Sequence, residues 1–259
     1  YPREYMAALL TSVLDVSEKI SEYIQTAREM GIAVQPPDVN LSYDSFSVAD
    51  SDIRFGLAAV KGVGRSFMKQ LVDEREKNGI FTSFQDFCER MYDRELNRRA
   101  LECLIKAGAF DSMGCRRSQL LRVAGPVVDA IAQNRKKNIE GQMDLFGMST
   151  PSGAAVSAVP LPDIPEFTAV ERMSMEKDTT GLYLSGHPME DYRPLAKRAG
   201  AVPIHAIMSD FEGQDGPKRF ADGQNVTVAG VITASRTRTT KNNTLMAYVT
   251  IEDELASME

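Results

Sequence analysis

LAAVKGVGRSFMKQLVDER, running from Leu57 to Arg75, divides into a short apolar helix, a tight Gly62-Val63-Gly64 hairpin and a longer amphipathic helix. A left-handed hairpin between helices calls for glycine, because a Cβ there costs roughly 1–2 kcal/mol. The second helix presents Met68, Leu71, Val72 and Arg75 at i, i+3, i+4 and i+7, and Asn78-Gly79 ends it. Its first amide N–H groups lack intrahelical partners and lie at the positive end of the helix dipole. Backbone alone can therefore hold an oxyanion there, such as a nucleic-acid phosphate. Lys61, Arg65 and Lys69 add side-chain charge around that point. A G-x-G arises about once by chance in a chain this long, so on this stretch alone a plain helical turn competes with a phosphate clamp.

A second, less regular copy follows. Phe84, Phe87 and Met91 mark a short helix, Asp93-Arg94-Glu95 a charged turn, and Asn97 to Lys106 a helix with Leu101, Leu104 and Ile105 inward, ended by Ala107-Gly108. Arg98 and Arg99 fall in its first turn, where positive charge opposes the helix dipole and an anion partner would offset the cost. Two adjacent helix-hairpin-helix units are suited to touch phosphates on both strands of a duplex, contacting backbone and not reading sequence.

Upstream, apolar residues at helical spacing predict helices over 4–14 and 16–30, the second opened by an Asp15/Glu18 capping box and stopped by Gly31. Pro36-Pro37 forbids helix, and Phe46/Val48 and Ile53/Phe55 alternate around Ala49-Asp50-Ser51-Asp52 as a β-hairpin. Downstream, Arg116 to Lys137 reads as helix broken at Gly125-Pro126. Gln142-Met143-Asp144-Leu145-Phe146 is a short apolar peptide ahead of a Pro/Ala/Ser-rich stretch expected to be a flexible linker. Such a peptide either folds back on its own core or docks on a partner, the glutamine hydrogen-bonding and Leu145 and Phe146 filling a pocket. A helix is expected over 167–179, then a sharp turn through Gly181 to Pro188 in which His187 is a turn residue, and two short segments over 189–198 and 204–211. Val226, Val228, Gly230 and Ile232, a basic turn from Arg236 to Asn243, and Leu245, Ala247, Val249 and Ile251 predict two strands that begin a small β-barrel.

Composition limits the function classes. The 259 residues are 43% hydrophobic, enough to fill a core, and carry a net charge of −6, which argues against a uniformly basic nucleic-acid binder. Between Arg90 and Glu140, however, eleven Lys and Arg stand against six Asp and Glu, as one basic face on an acidic protein would require. Three cysteines without close spacing and two distant histidines argue against a disulfide framework or zinc site, so no metal ligands are assigned. No long apolar run and no leader are evident, so no membrane partner and a cytoplasmic location are expected. The opening on Tyr1 suggests a piece of a longer protein.

In collinear order, YPREYMAALL, MGIAVQPPDVN, IRFGLAAVKGVG, LNRRALECLIKAGAFD, QMDLF, GLYLSGHP and TTKNNTLMAYVTIED resemble the bacterial DNA polymerase III alpha-subunit family, the C-family replicative polymerases. The resemblance implies a mainly α fold, α+β overall. Residues 1–44 would be the fingers tail and 45–114 a tandem helix-hairpin-helix region binding duplex DNA. Residues 115–147 would be a helical extension ending in the clamp motif, 148–166 a linker, 167–222 a helical connector and 223–259 the start of an incomplete OB domain. Within the helix-hairpin-helix region the hairpin residues Lys61, Gly62, Val63, Gly64, Arg65, Lys69, Asn97, Arg98 and Arg99 would hold duplex DNA. Gln142, Met143, Asp144, Leu145 and Phe146 would bind the sliding clamp (beta subunit), and Arg236, Arg238 and Lys241 would meet single-stranded template. The implied partners include the other replicase holoenzyme subunits. The parent would be a magnesium-dependent DNA-directed DNA polymerase whose palm carboxylates lie upstream, so no catalytic residue and no cofactor are assigned within this chain, which is expected to be inactive alone. Two rivals are a helix-hairpin-helix module of a repair or ligation protein, in which QMDLF is merely structural, and a protein-interaction scaffold.

Overall fold

Apolar periodicity at the start of the chain pairs two helices face to face. The computed structural model describes residues 1–14, 16–94, 96–139, 159–212, 219–254 and 256–259. Helix α1 (Pro2–Ser12) places proline in its first turn, where the missing N–H removes no intrahelical bond, and buries Met6, Ala7 and Leu10. Helix α2 (Ser17–Glu29) follows an N-cap at Val16 that makes no side-chain cap hydrogen bond, and the Glu18 side chain of the expected capping box lies outside what the structure describes. Asp15 itself lies outside the described residues.

Strands β1 (Val34–Gln35), β2 (Ser47–Ala49) and β3 (Asp52–Arg54) form a sheet in the order β1-β3-β2. The expected antiparallel hairpin is β2–β3, closed by Ala49↔Asp52 with Asp50 at φ 53. Its parallel partner β1 was not legible because two residues carry no alternation. Phe46 and Phe55, flanking the hairpin, meet edge to face at 4.9 Å.

The hairpin delivers the chain to a 3-10 turn, Leu57–Ala59, and then to α3 (Arg65–Asn78). Helix α4 (Phe84–Met91), a second 3-10 turn Tyr92–Arg94 and α5 (Arg98–Lys106) repeat the pattern. Both repeats share one core, in which Leu57, Met68 and Leu71 join Phe81, Phe87, Leu101, Leu104 and Phe110. Each such fully buried side chain contributes roughly 1.5–3 kcal/mol. Phe87 sits edge to face with both Phe81 and Phe110, at 4.9 Å in each case.

Helix α6 (Arg117–Ile139) corrects the expected break: it runs unbroken through Gly125-Pro126. Pro126 removes one backbone bond, but Val123, Ala124, Val127 and Ile131 are buried on the face that packs on α4 and α5. Apolar burial on both sides of the proline outweighs the lost bond. A second correction concerns the stretch before α7 (Ala169–Thr180). Residues 159–166, read as linker from composition, are hydrogen-bonded to the rest of the fold: Gln119 donates to the Pro162 carbonyl at 2.8 Å, and Arg116 to that of Ile164 at 2.7 Å. Backbone carbonyls, which composition does not register, make these ties. Thr168 and Glu171 close a capping box at the start of α7, and Gly181, left-handed at φ 83, ends it.

Contacts divide the chain into Tyr1–Ser185 and Gly186–Glu259, which puts α7 with the first unit. The second unit contains a 3-10 turn Glu190–Tyr192, α8 (Arg193–Arg198), α9 (Ile204–Glu212) and an antiparallel sheet of β4 (Val231–Thr239), β5 (Leu245–Glu252) and β6 (Ser257–Met258). Strand β4 starts at Val231 and extends through Thr239, so Arg236 to Thr239 are strand and not turn. The turn is Thr240 to Thr244, closed by Thr240–Thr244 hydrogen bonds with Asn243 at φ 58. Among the described residues the fold is mainly α with two small three-stranded sheets.

Candidate nucleic-acid interface

The Gly62-Val63-Gly64 hairpin is held from three sides. Val63 is half-buried against the core, while Lys61, Gly62, Gly64, Arg65 and Lys69 are exposed. The Lys61 N–H donates to the Thr179 carbonyl at 2.7 Å. Gly62 is left-handed at φ 81, and a Cβ there would lie 2.9 Å from the Cys103 sulfur and 3.7 Å from Arg99 Nε, both on α5. Only glycine satisfies both demands. Gly64 is the N-cap of α3, in extended conformation, and offers no side-chain acceptor; no acidic residue stands in the first turn. The first amides of α3 thus open toward solvent beside Arg65 and Lys69, and no ion pair engages Lys61 or Lys69 among the described residues.

The second repeat is built differently. Asn97 is the N-cap of α5, and its side-chain oxygen accepts from the Ala100 N–H at 2.8 Å. Arg98 pairs with Glu102 at 2.9 Å, and its guanidinium lies where a Cβ on Gly125 would approach to 3.3 Å. Arg99 is exposed and next to Gly62, so the fold brings Arg99 to the first hairpin and turns Arg98 toward α6. One expected phosphate-facing amide is therefore taken by its own chain.

Arg90, Arg94, Arg117 and Arg135 are tied within the fold, while Arg98, Arg99, Arg116 and Arg122 are exposed. Arg90 bonds Glu74 at 3.1 Å, and reaches the Gly79 and Ile80 carbonyls at 2.8 and 3.1 Å, closing the open end of α3. Arg94 also bonds Glu74, at 2.6 Å, so one buried carboxylate joins the two repeats. Hydrogen bonding from Asn78, and then from Arg90 with the charges of Arg94 and Arg90, holds Glu74 below the usual carboxylate range against the opposing effect of burial. Arg135 pairs with Asp93 and stacks on Tyr92. Arg117 is 4% exposed and bonds Asp111 at 2.6 Å, Glu176 at 2.9 Å and the Lys106 carbonyl at 3.1 Å. Burial alone would lower its pKa; the hydrogen bonds and charge of Asp111, with Glu176, reverse the sign and raise it. At the start of α6, Glu166 accepts from the Arg117 and Ser118 N–H groups at 2.7 and 3.1 Å. Burial pushes its carboxyl up, but the backbone donors of Phe167, Ser118 and Arg117 outweigh it and hold the group below its ordinary value.

Sequence reading missed Thr179, Arg117, Glu166 and Glu176. One signal existed: Glu176 stands on the same helical face as Met173 and Thr180, where an isolated carboxylate needs a buried partner. Gln142, Met143, Asp144, Leu145 and Phe146 lie outside the described residues. In the second unit Arg236 is tied to Glu259 at 3.0 Å and stacks on Tyr248 at 4.7 Å, Arg238 stands opposite Met246, and Lys241 is exposed in the turn. Among the described residues no three His, Cys, Asp or Glu side chains converge to hold a metal, and no helix is long and apolar enough to cross a membrane.

Two three-part repeats around one core run from Leu57 to Lys106, and the family model for the helix-hairpin-helix motif matches residues 31–120. The relatives narrow this class. Over its whole length the chain is 38% identical to the DNA polymerase III subunit alpha of Saccharopolyspora erythraea and to that of Deinococcus radiodurans, and 33% identical to that of Vibrio cholerae. It matches a segment of the DNA polymerase III alpha-subunit family from end to end. The chain spans about a fifth of the length of these relatives, covering 21%, 19% and 22% of them.

Proposed function

We propose that this chain is the part of a replicative DNA polymerase that holds duplex DNA by its backbone and tethers the enzyme to its sliding clamp. The observation that carries the reading is the open amino end of α3: it has no side-chain cap and no acidic first turn, and is ringed by Lys61, Arg65 and Lys69. A phosphate oxygen there would accept backbone N–H donors at the favourable end of the helix dipole. Because Asn97 already occupies an amide at the second site, the first repeat gives the backbone grip and the second adds the cation of Arg99 and, more weakly, of Arg98. Contacts of this kind position a duplex without selecting its sequence.

On the same reading, Gln142 to Phe146 is the clamp-binding peptide. Arg236, Arg238 and Lys241 approach single-stranded template, and other replicase subunits assemble around the chain. Nucleotidyl transfer and its magnesium ions belong to another part of the polymerase. The test is duplex binding against salt. The logarithm of affinity should fall against that of salt with a slope of about −0.9 per neutralised phosphate, and Arg65→Ala or Lys69→Ala should flatten it. A slope unchanged by both substitutions would sink the duplex reading. Equal clamp binding by wild type and a Leu145→Ala/Phe146→Ala chain would sink the tether and favour a repair-type module.

A further inference from the structure

Helix α7 lies beyond the residues matched by the helix-hairpin-helix model, yet its last turn touches the hairpin itself. The Thr179 carbonyl accepts the Lys61 N–H at 2.7 Å, one residue before the left-handed Gly62. Three residues earlier, Glu176 is 1% exposed and fully engaged. It accepts from Arg117 at 2.9 Å, from the Leu184 and Ser185 N–H groups at 2.9 Å each, and from the Ser185 hydroxyl at 3.0 Å. Arg117 in turn grips the end of the second repeat through Asp111 and the Lys106 carbonyl, and a Cβ at Gly108 would collide with its guanidinium. Contacts therefore run from the carboxyl end of α5 through buried Arg117 to Glu176, whose backbone carbonyl accepts from the Thr179 hydroxyl at 3.3 Å, and the Thr179 carbonyl in turn meets the peptide that opens the first hairpin.

We propose that α7 is an integral part of the duplex-binding unit, in which Glu176 is a positioning residue: anchored by Arg117, it sets the Thr179 carbonyl that fixes the Lys61 peptide. The inference rests on the reading of the first hairpin as a phosphate clamp. A backbone clamp works only if its N–H groups already point at the phosphate, since ordering them on binding subtracts from affinity. The opening of α3 has no side-chain cap of its own to order it, so the restraint comes from Thr179 on one side and Cys103 on the other. A fully satisfied buried network is suited to that role because a partial arrangement leaves charge unpaired in a low-dielectric interior. Glu176 touches no DNA in this scheme; it acts through the Lys61 amide.

The test follows the Lys61 amide by hydrogen exchange in the full 259-residue chain, alongside duplex affinity. In Glu176→Gln, that amide should exchange about tenfold faster while Leu71 in α3 keeps its protection, and the duplex dissociation constant should rise several-fold. Glu176→Asp should restore part of both. Unchanged Lys61 exchange overturns the proposal, and faster exchange with unchanged duplex affinity overturns the part assigned to α7 in binding. A second comparison avoids any disturbance of the buried pair. Val60 has ψ 115, which accommodates a following proline, so Lys61→Pro removes the N–H that Lys61→Ala retains. Weaker duplex binding by Lys61→Pro than by Lys61→Ala supports the proposal, and equal binding overturns it. If Arg65→Ala and Lys69→Ala leave duplex binding untouched, the clamp reading fails separately, whatever the Lys61 amide does.

Discussion

Gly62 combines a left-handed backbone with too little room for a Cβ, which would lie 2.9 Å from the Cys103 sulfur, and the two demands separate experimentally. Gly62→Ala should cost about 1–2 kcal/mol for the positive φ and more for the contact with the Cys103 sulfur. In a Cys103→Ala background the second part should disappear while the first remains, so the two substitutions should be non-additive in urea unfolding. Strict additivity would place the sulfur away from the hairpin. The need for glycine was legible in G-V-G; the identity of what presses on it was not, because Cys103 is 41 positions further along the chain and only the packing of α5 brings it there. Arg117 and Glu176 carry the same lesson. Each is almost wholly buried, and each partners the other there.

At the scale of elements, the helix amino ends divide by what fills them. Helix α4 uses Ser83, α5 uses Asn97, α7 uses Thr168 and Glu171, and α6 takes the distant carboxylate of Glu166, whereas α3 starts on Gly64 with none. The α6 arrangement has a definite pH signature. Because the folded-state pKa of Glu166 is depressed below its ordinary 4.5, its contribution is fully present above that value. It is lost as pH falls through the lower, folded-state value. Glu166→Gln should therefore unfold more easily than wild type at pH 6, with the gap in urea midpoint closing as the pH drops below about 4.5. A gap that stays constant down to pH 3 would mean that the carboxylate charge does not hold α6. Local capping by Ser83, Asn97 and Thr168 obeys sequence rules, since donor and acceptor lie three residues apart. Glu166 is 49 residues from Arg117, a separation no capping rule spans.

At the scale of the whole molecule, the two units differ in how much apolar surface covers their backbone. The first closes one continuous apolar core, with Leu101 and Leu104 fully inaccessible, while in the second the sheet leaves Ile232 64% and Leu245 78% exposed. Backbone hydrogen bonds covered by little apolar surface open at low free energy. Amides of β4 and β5 should accordingly exchange faster than those of α5; equal protection would show that the sheet is as well covered as the helical core. The sequence by itself determined the helices, the order of the two repeats, the β-hairpins and the glycine turns. These depend on apolar periodicity, φ preferences and neighbours a few residues apart, all written locally in the chain. Tertiary structure decided that α6 runs straight through Pro126, that residues 159–166 are tied down, that Arg90, Arg94, Arg117 and Arg135 brace the fold, and that α7 reaches the first hairpin. Those outcomes turn on which distant group arrives to satisfy a buried charge, carbonyl or amide, and the chain's local pattern carries no record of that meeting.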